Sequence, residues 1–326
     1  MLITIQNGCF RIDAGMLENS LSTRRRKVKL ILLLRNKMYR KVDIAMRDED
    51  FEPLKPVSNT SSIRAGQSIL IDYIILSFVQ ADMASIVNYF FYYLLDSFEL
   101  LDSHMRGFQK MYTNEKIFVH YENKGNKAVV LVEIRACGCR FLEQQEEHTW
   151  FSFFRQVSEI VDMIPVERVN IKRIDIAIDS FSKETLTPTR ALDYIKRQLV
   201  TSRFQTGRII HEFRIKTTEL TGESFYFGKR ASDLSVVVYD KKLETKSESE
   251  WFRTEIRFRN SWATKVVDAL LEQRKDFSLF VSEVMKTNIQ FRSSYHKRSE
   301  LRRRPLAKWY ETYLLYIKKQ RLHRLD

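Results

Sequence analysis

The stretch "RIDIAID" at residues 173–179 decides the fold, because charged and apolar side chains alternate along it with a period of two. In a β-strand, residues two apart lie on the same face. Arg173, Asp175 and Asp179 therefore share one face, and the isoleucines between them form the other. The isoleucine face is predicted to be core. Aspartate is unfavourable inside strands, so two of them on one face call for a reason.

A second strand repeats the pattern. In "WFRTEIRFR" at 251–259, Arg253, Glu255, Arg257 and Arg259 fall on one face, opposite bulky apolar residues. The two strands together predict a sheet with an apolar face and a face that carries both acids and arginines. Such a face is either solvated, with ordinary cross-strand ion pairs, or a functional surface.

Two further strands place polar groups in the same way. "LVEIRACGCR" at 131–140 puts Glu133 among apolar neighbours, followed by a tight strand exit. The valine-rich run that ends at Tyr239 puts Lys241 two residues further, on the same predicted face. A tyrosine at a strand end is commonly amphipathic core filler, and a lysine there is commonly a solvated surface residue. Both interpretations stay open at this point.

Strand-like and helix-like patterns alternate along most of the chain, without an evident internal repeat. Strands are predicted at 68–78, 116–136 as a hairpin, 168–181, 207–217, 223–228, 234–241 and 249–260, and helices at 81–98, 148–164, 188–200, 261–286 and 305–322. This succession predicts an α+β fold with a mostly antiparallel central sheet and flanking helices.

The chain divides into three parts by composition. Residues 1–62 contain a basic run and close on a linker rich in Pro, Ser, Asn and Thr, which predicts a basic arm or small appendage. Residues 63–260 carry the strand patterns. Residues 261–326 are predicted to be helical and basic, with Arg302, Arg303 and Arg304 in a cluster.

The charge balance points to a polyanionic partner. The 326 residues contain 55 Lys+Arg against 41 Asp+Glu, a formal net charge of +14. Such an excess favours nucleic acid first and an anionic membrane second. The apolar windows are interrupted by Asp72 and Asp96 before they reach the roughly 20 residues of a membrane span. No membrane partner is therefore expected.

The cysteines and the N-terminus predict a soluble cytoplasmic protein. Cys9, Cys137 and Cys139 are odd in number, and the spacing of the last two suits neither a disulfide framework nor a zinc site. No signal-peptide pattern is visible. His120 and His211 are single strand histidines and are expected to be structural. Carboxylates beside arginines would suit a hard divalent cation together with a phosphodiester.

Six motifs carry a resemblance over about residues 69–318. They are "IDYIILSF" (71–78), "CGCRFLE" (137–143), "KRIDIAIDSF" (172–181), "FYFGKRASDLSVVVYDKKLE" (225–244), "WFRTEIRFRNSWA" (251–263) and "WYETYLL" (309–315). In this order and spacing they resemble the replication initiation factor family. That family comprises rolling-circle initiators of small plasmids and related relaxases of conjugative and phage-like elements, so a nickase fold of the rolling-circle Rep and relaxase type is implied.

The resemblance implies roles for particular residues. Tyr239 falls on the nucleophile that cuts one DNA strand, with Tyr226 as the next candidate. Lys241 would lower the pKa of Tyr239 or hold phosphate. Val237 stands where many members of the family carry arginine. The acids that would surround a divalent metal ion, Mg²⁺ or Mn²⁺, are Asp175, Asp179, Glu255 and, as a fourth, Glu133.

The resemblance also implies the partners. The residues expected to contact DNA are Arg173, Arg253, Arg257, Lys229, Arg230, Arg302, Arg303 and Arg304. Residues 63–260 would nick a single-stranded site, and residues 261–326 would recognise the origin duplex. A host helicase and a homodimer are expected. The hypothesis is a sequence-specific, metal-dependent nickase that works through a covalent 5′-phosphotyrosine, and its alternative is a non-catalytic DNA-binding factor on the same fold.

Overall fold

The fold is seen in a computed structural model. The structure describes residues 3–6, 9–12, 69–103, 105, 107–124, 127–146, 148–182, 184–272, 276–295 and 300–325. The predicted basic arm lies outside these residues, apart from strands β1 (Ile3–Gln6) and β2 (Cys9–Ile12), which pair antiparallel. Among the described residues, those within 69–158 and 166–325 belong to one compact unit, which contains the large sheet and the site described below.

A sheet of ten strands is the centre of this unit. The strands that follow β2 are β3 (Ile69–Val79), β4 (Glu99–Asp102), β5 (Lys110–Thr113), β6 (Ile117–Lys124), β7 (Lys127–Ile134), β8 (Arg168–Ser180), β9 (Val200–Ser202), β10 (Gly207–Arg214), β11 (Glu219–Phe227), β12 (Leu234–Asp240), β13 (Phe252–Arg259) and β14 (Ile289–Phe291). The large sheet has the order β10-β11-β12-β13-β8-β3-β7-β6-β5-β4, and all neighbours are antiparallel. β9 and β14 form a separate pair.

Helices cover the apolar face of the sheet. They are α1 (Met83–Phe91), α2 (Ala136–Glu143), α3 (Trp150–Met163), α4 (Pro188–Lys196), α5 (Lys241–Thr245), α6 (Ser261–Glu272), α7 (Phe277–Asn288) and α8 (Lys308–Lys319). Ile174, Ile176 and Ile178 of β8 are buried as predicted. On β13, the Phe258 ring contacts Trp262 of α6 and Phe280 of α7. Helix α8 packs through its own tyrosines, and Tyr313 Oη donates to Thr254 Oγ1 at 2.9 Å.

The sheet is built from two halves with one topology, although the sequence shows no evident repeat. In the first half, β3 and α1 are followed by β4 to β7 and then by α2; in the second, β8 and α4 are followed by β10 to β13 and then by α6. In each half the last strand returns to pair with the first. The halves join where β3 pairs with β8, and Tyr73 lies opposite Asp175 at this junction.

The fold class is confirmed, and several local predictions need correction. Residues 136–143 form helix α2 where a strand exit was expected. Gly138 is required there, because a Cβ at this position would lie 2.4 Å from the Lys116 carbonyl oxygen. The single helix predicted at 261–286 is two helices, α6 and α7. Short strands β4 and β5 were not predicted. Among the described residues no helix is long and apolar enough to span a membrane.

Candidate nicking site

The polar face of the central strands is buried and not solvated. Asp175, Asp179, Arg253 and Glu255 expose between 0% and 7% of their surface. Charges at that depth are stable only when they are paired and hydrogen-bonded. The acids and arginines of this face are therefore paired inside the protein, Asp175 and Glu255 in a network that includes arginines, and Asp179 with Arg253 apart from it, which excludes the interpretation as ordinary solvent-exposed pairs.

Tyr239 is part of this network. β12 and β13 pair so that Val237 lies opposite Glu255 and Tyr239 lies opposite Arg253. Tyr239 Oη donates to Glu255 Oε1 at 2.7 Å. Burial, and next the negative charge of Glu255, raise the pKa of Tyr239 far above its ordinary value. The phenol is therefore protonated at neutral pH, and its proton already points at a carboxylate oxygen.

Arg257 links Glu255 to Asp175, and Arg173 also binds Asp175. Arg257 Nη2 donates to Glu255 Oε2 at 2.9 Å, and Arg257 Nε lies 3.7 Å from Asp175 Oδ2. Arg173 binds Asp175 with two hydrogen bonds. Burial still raises the pKa of Asp175 to about 6. Tyr239, Glu255, Arg257, Asp175 and Arg173 are thus brought together, as the resemblance implies.

Asp179 and Arg253 form a separate buried pair. Arg253 Nε and Nη2 donate to the two carboxylate oxygens of Asp179 at 2.7 and 2.8 Å, and Trp251 Nε1 donates to Asp179 Oδ1 at 2.8 Å. Arg253 Nη1 reaches Asp72 Oδ1 at 3.1 Å. The donors of Arg253 are used inside the protein, so its predicted role as a DNA contact does not agree with its surroundings. Both side chains hold β8, β13 and β3 together.

Glu133 lies in the first half of the sheet with partners of its own. It accepts hydrogen bonds from Tyr73 Oη at 2.6 Å and from Arg135 Nε at 2.8 Å, and His120 Nε2 lies 3.9 Å away. The neighbouring His120, together with Arg135 and Tyr73, holds the pKa of Glu133 at about 2. Its contacts are therefore with Tyr73 and not with Tyr239.

The four predicted metal ligands do not fit a metal ion as they stand. Within the described ranges, no group of three or more His, Cys, Asp or Glu side chains could hold one. Asp179 is saturated by Arg253 and Trp251, and Glu133 lies among first-half residues. The remaining pair, Asp175 and Glu255, is held by arginines and the tyrosine. A cation would have to displace these donors.

Lys241 differs from its prediction because β12 ends at Asp240. Lys241 begins helix α5, so the alternation of a strand no longer applies to it. Its ammonium pairs with Glu244 Oε1 at 2.9 Å and lies 5.6 Å from the centre of the Tyr239 ring. Lys241 therefore faces the ring of Tyr239, with its charge partly neutralised.

The remaining predicted DNA contacts are more exposed. Lys229 and Arg230 lie in the turn between β11 and β12, and Arg230 lines a cavity beside Tyr226. Arg302 and Arg303 are exposed just before α8, where Arg303 Nε lies 3.7 Å from Glu300 Oε2. Sequence reasoning missed Tyr73, Arg208 and the two-half architecture. A signal was present in the triplet Glu-Ile-Arg, which ends β7 at 133–135 and recurs in β13 at 255–257.

Two known protein families match the two halves of this sheet. The family described as "Replication initiation factor" matches residues 169–324, and the family described as "Rolling Circle replication initiation protein N-terminal domain" matches residues 68–156. The chain belongs to the rolling-circle replication initiator family. The resemblance carried by the six motifs is thereby confirmed. One matched region covers the first half of the sheet, and the other covers the second half.

One known protein and one solved structure are also similar to this chain. The chain is 26% identical over 234 residues to "Putative DNA relaxase NicK" of Bacillus subtilis (strain 168), a match that covers 68% of this chain and 64% of that protein. The chain thus spans less than two thirds of the length of that relative. A solved rolling-circle replication initiator protein from Geobacillus stearothermophilus has the same fold, with a TM-score of 0.69 and 23% identity, over 79% of this chain and 98% of that chain.

Proposed function

We propose that this chain nicks one DNA strand at an origin and remains bound to the cut end through Tyr239, to begin rolling-circle replication or conjugative transfer. The observation that carries the proposal is the hydrogen bond from Tyr239 to Glu255 at 2.7 Å, within an arginine-rich face of a rolling-circle initiator fold. A protein that only binds DNA needs no half-buried phenol aimed at a carboxylate. The same face supplies guanidinium groups for phosphate.

The proposed reaction is a transesterification. Tyr239 Oη attacks the phosphorus of the scissile phosphodiester, and its proton passes to Glu255 Oε1. The new bond joins phosphorus to Oη, while the bond from phosphorus to the 3′-oxygen breaks and that oxygen takes a proton from solvent. The products are a 5′-phosphotyrosine and a 3′-hydroxyl. Attack by a 3′-hydroxyl on the phosphotyrosine reverses the step and rejoins a strand.

The arginines would neutralise the phosphate in this reaction. Arg257 and Arg173 each hold a carboxylate in the resting protein, and their remaining guanidinium donors can bind phosphate oxygens. The carboxylates are held by arginines and by Tyr239, so Mg²⁺ or Mn²⁺ would bind them only after displacing these donors. The requirement for a divalent cation remains a prediction from the family resemblance.

A nicking assay tests the proposal. The full chain is incubated with supercoiled DNA of its own genetic element in Mg²⁺ or in Mn²⁺, with parallel reactions in EDTA. We expect open circles that carry protein on the 5′ end, with the phosphate on the peptide that contains Tyr239 by mass spectrometry. Open circles without attached protein, or phosphate on Tyr226, would contradict the assignment. Undiminished nicking in EDTA would show that the reaction does not require a divalent cation.

Recognition of duplex DNA by the C-terminal region is a second part of the proposal. Arg302, Arg303 and Arg304 precede α8, whose apolar side packs against the sheet, so the cluster is held at a fixed place on the surface. Changing all three to glutamine should weaken binding of the origin duplex about tenfold and lower the salt slope by about 0.9 for each phosphate that is no longer bound. Cleavage of a single-stranded site should persist. Unchanged affinity and slope would place recognition elsewhere.

The remaining partners stay predictions. Origin duplex and single-stranded nick-site DNA are the proposed substrates. A homodimer and a host helicase are expected from the resemblance, and the separate role of residues 261–326 is predicted from their helical pattern and basic composition. Size-exclusion chromatography with light scattering on the full chain tests the dimer.

A further inference from the structure

A cavity of about 330 Å³ opens on the polar face beside the proposed nucleophile. Its lining is unusual, because five of its six residues are arginines and the sixth is a tyrosine. The lining residues are Arg173, Arg208, Tyr226, Arg230, Arg257 and Arg259. The guanidinium groups of Arg208 and Arg257 lie 5.0 and 5.9 Å from the centre of the Tyr226 ring.

The positive charge of this cavity is only partly balanced by the protein. Arg173 and Arg257 hold Asp175 and Glu255. In the part of the chain that the structure describes, Arg208 and Arg230 form no ion pair with a carboxylate. Arg259 donates to the Ser232 carbonyl oxygen, and burial together with the charge of Arg173 lowers its pKa. An anion in the cavity would relieve this like-charge repulsion.

The cavity is connected to Tyr239 by two short links. Tyr226 lies opposite Val237 in the pairing of β11 with β12, two residues from Tyr239. Arg257 lines the cavity and donates to Glu255, which accepts from Tyr239. A phosphate in the cavity would therefore be a near neighbour of a phosphodiester placed at Tyr239.

The lining on the other side of Tyr239 is different. A second cavity of about 200 Å³ is lined by Tyr239 and by the acidic residues Glu212, Glu223, Asp240 and Glu244. Three of these acids have partners in the protein: Glu223 accepts from Thr189, Asp240 from the Leu243 backbone, and Glu244 pairs with Lys241. Tyr239 thus lies between a cavity lined by arginines and one whose described lining contains no arginine, and the arginine side is the one that attracts a polyanionic strand.

We propose that the arginine cavity binds a backbone phosphate of single-stranded DNA on one side of the scissile bond, so that the strand lies across Tyr239 with a fixed polarity. This inference rests on the proposed nicking function, and it names how that site holds its substrate. Free inorganic phosphate offers the same chemistry, so the test includes it. Arg208 and Arg230 are the informative residues, since they line the cavity and take no part in the hydrogen bonds of Tyr239.

The binding experiment uses the full chain with Tyr239→Phe, so that no cleavage occurs. A fluorescent oligothymidylate of about a dozen nucleotides, within the usual span of a single-strand site, is titrated by anisotropy at several salt concentrations. The double change Arg208→Gln and Arg230→Gln should weaken binding by roughly tenfold or more and lower the salt slope by about 0.7 for each phosphate that is released from the protein. Arg155→Gln, an exposed arginine on α3 outside the cavity, is the matched control and should change neither quantity.

Two further measurements identify the ligand of the cavity and the polarity of the bound strand. If inorganic phosphate at about 10 mM displaces the oligonucleotide from the parent as completely as a roughly tenfold excess of unlabelled oligonucleotide, the cavity takes free phosphate and the proposal fails. Single methylphosphonate substitutions along a nick-site oligonucleotide should weaken binding on one side of the scissile bond only. Equal effects on both sides, or equal weakening in the double variant and in Arg155→Gln, would also overturn it.

A failure of this proposal can be distinguished from a failure of the nicking proposal. Binding is measured without the phenol, so the result does not depend on which residue is the nucleophile. Thermal unfolding of the double variant within about 2 °C of the parent would show that the weaker binding does not come from unfolding of the variant.

Discussion

The two halves of the sheet share a topology and differ in the chemistry of one row of side chains. In each half this row consists of residues that lie opposite one another on neighbouring strands, and it includes the glutamate of that half's Glu-Ile-Arg triplet. In the first half the row is Glu99, Thr113, Phe118, Glu133 and Ile75, and in the second it is Arg208, Tyr226, Val237, Glu255 and Ala177. Arginine and tyrosine in the second half thus replace an acid and a threonine, and the arginine cavity is lined by second-half residues.

Each half also contains a tyrosine bound to its glutamate, but the tyrosines come from different strands. Tyr73 on β3 donates to Glu133, and Tyr239 on β12 donates to Glu255. The register places His120 in the first half where the second half has Tyr239. A fold that repeats thus supplies two similar carboxylates, and the surrounding cations decide which one is a candidate for phosphate chemistry.

The largest expected effect separates the two tyrosines. Tyr239→Phe should lower nicking by about 10⁴-fold, because the attacking oxygen is removed. Tyr73→Phe removes the same atom from the other half and should leave nicking within about threefold of the parent rate. Both are measured as open-circle formation on supercoiled DNA. A comparable decrease in the two variants would mean that both halves take part in the chemistry.

Substitution of Arg253 tests a structural difference between the halves, namely the buried ion pair that the second half has at this register position and the first half does not. Arg253→Met leaves Asp179 buried without its main partner, so we expect a decrease of about 3–5 kcal/mol in the free energy of unfolding. Leu131 has the corresponding register position in the first half, and Leu131→Met should cost less than about 1.5 kcal/mol. Urea denaturation measures both. Equal costs would show that the buried ion pair is not what distinguishes the position.

The glutamates give the next comparison. Glu255→Gln cannot accept the proton of Tyr239 and should lower nicking by about 10²-fold, while Glu133→Gln should change it by less than about threefold. In the first variant the nicking rate should also depend more steeply on pH, since hydroxide must then remove the proton. If the nicking rate of Glu255→Gln did not change with pH, Glu255 would not be the proton acceptor.

The smallest expected effect lies in the helices that follow the closing strands. Buried α6 side chains are apolar, whereas α2 buries Glu143, which accepts from Arg140 and Trp150. Burial raises the pKa of Glu143 to about 7. Between about pH 4.5 and 7 the folded protein binds the extra proton, so this residue lowers stability by about 2 kcal/mol as the pH rises.

The contribution of His148 to stability changes with pH in the opposite direction over the same range, so the contribution of Glu143 has to be measured separately. Burial lowers the pKa of His148 to about 4, so its contribution to stability increases as the pH rises from about 4 to 6.5. The contribution of Glu143 is therefore taken as the difference between parent and Glu143→Gln in denaturant unfolding at about pH 5 and pH 8. A difference that does not change with pH would show that Glu143 ionises normally.

The alternation of residues along the strands predicted much of this molecule. It placed Asp175 and Glu255 on one face and the isoleucines on the other, because a period of two needs no knowledge of neighbours. It did not predict that this face is buried. The partners of Asp179 are on or beside β13, 72 and 74 residues further along the chain, and nothing local in the sequence pairs them.

The errors have local causes. Lys241 was assigned to a strand face because the strand was extended one residue too far, and the period of two does not apply to a residue that begins a helix. Residues 136–143 were too short and too rich in cysteine and glycine for a helical period to be visible. The repeated topology was hidden because, along this row, the halves have only the glutamate of the Glu-Ile-Arg triplet in common.

The junction between β3 and β8 has a consequence for how the chain folds. Ile69 pairs with Ile178, so the partners at this junction are roughly a hundred residues apart in sequence. Most other pairings in the large sheet are between strands close together in sequence and close much smaller loops, which lose less entropy. Each half should therefore gain hairpin structure early, and the joining of β3 to β8 should be the late, rate-limiting event. Substitutions in the outer hairpins, which are formed before this event, should then slow folding, while substitutions at contacts that form after it should mainly speed unfolding.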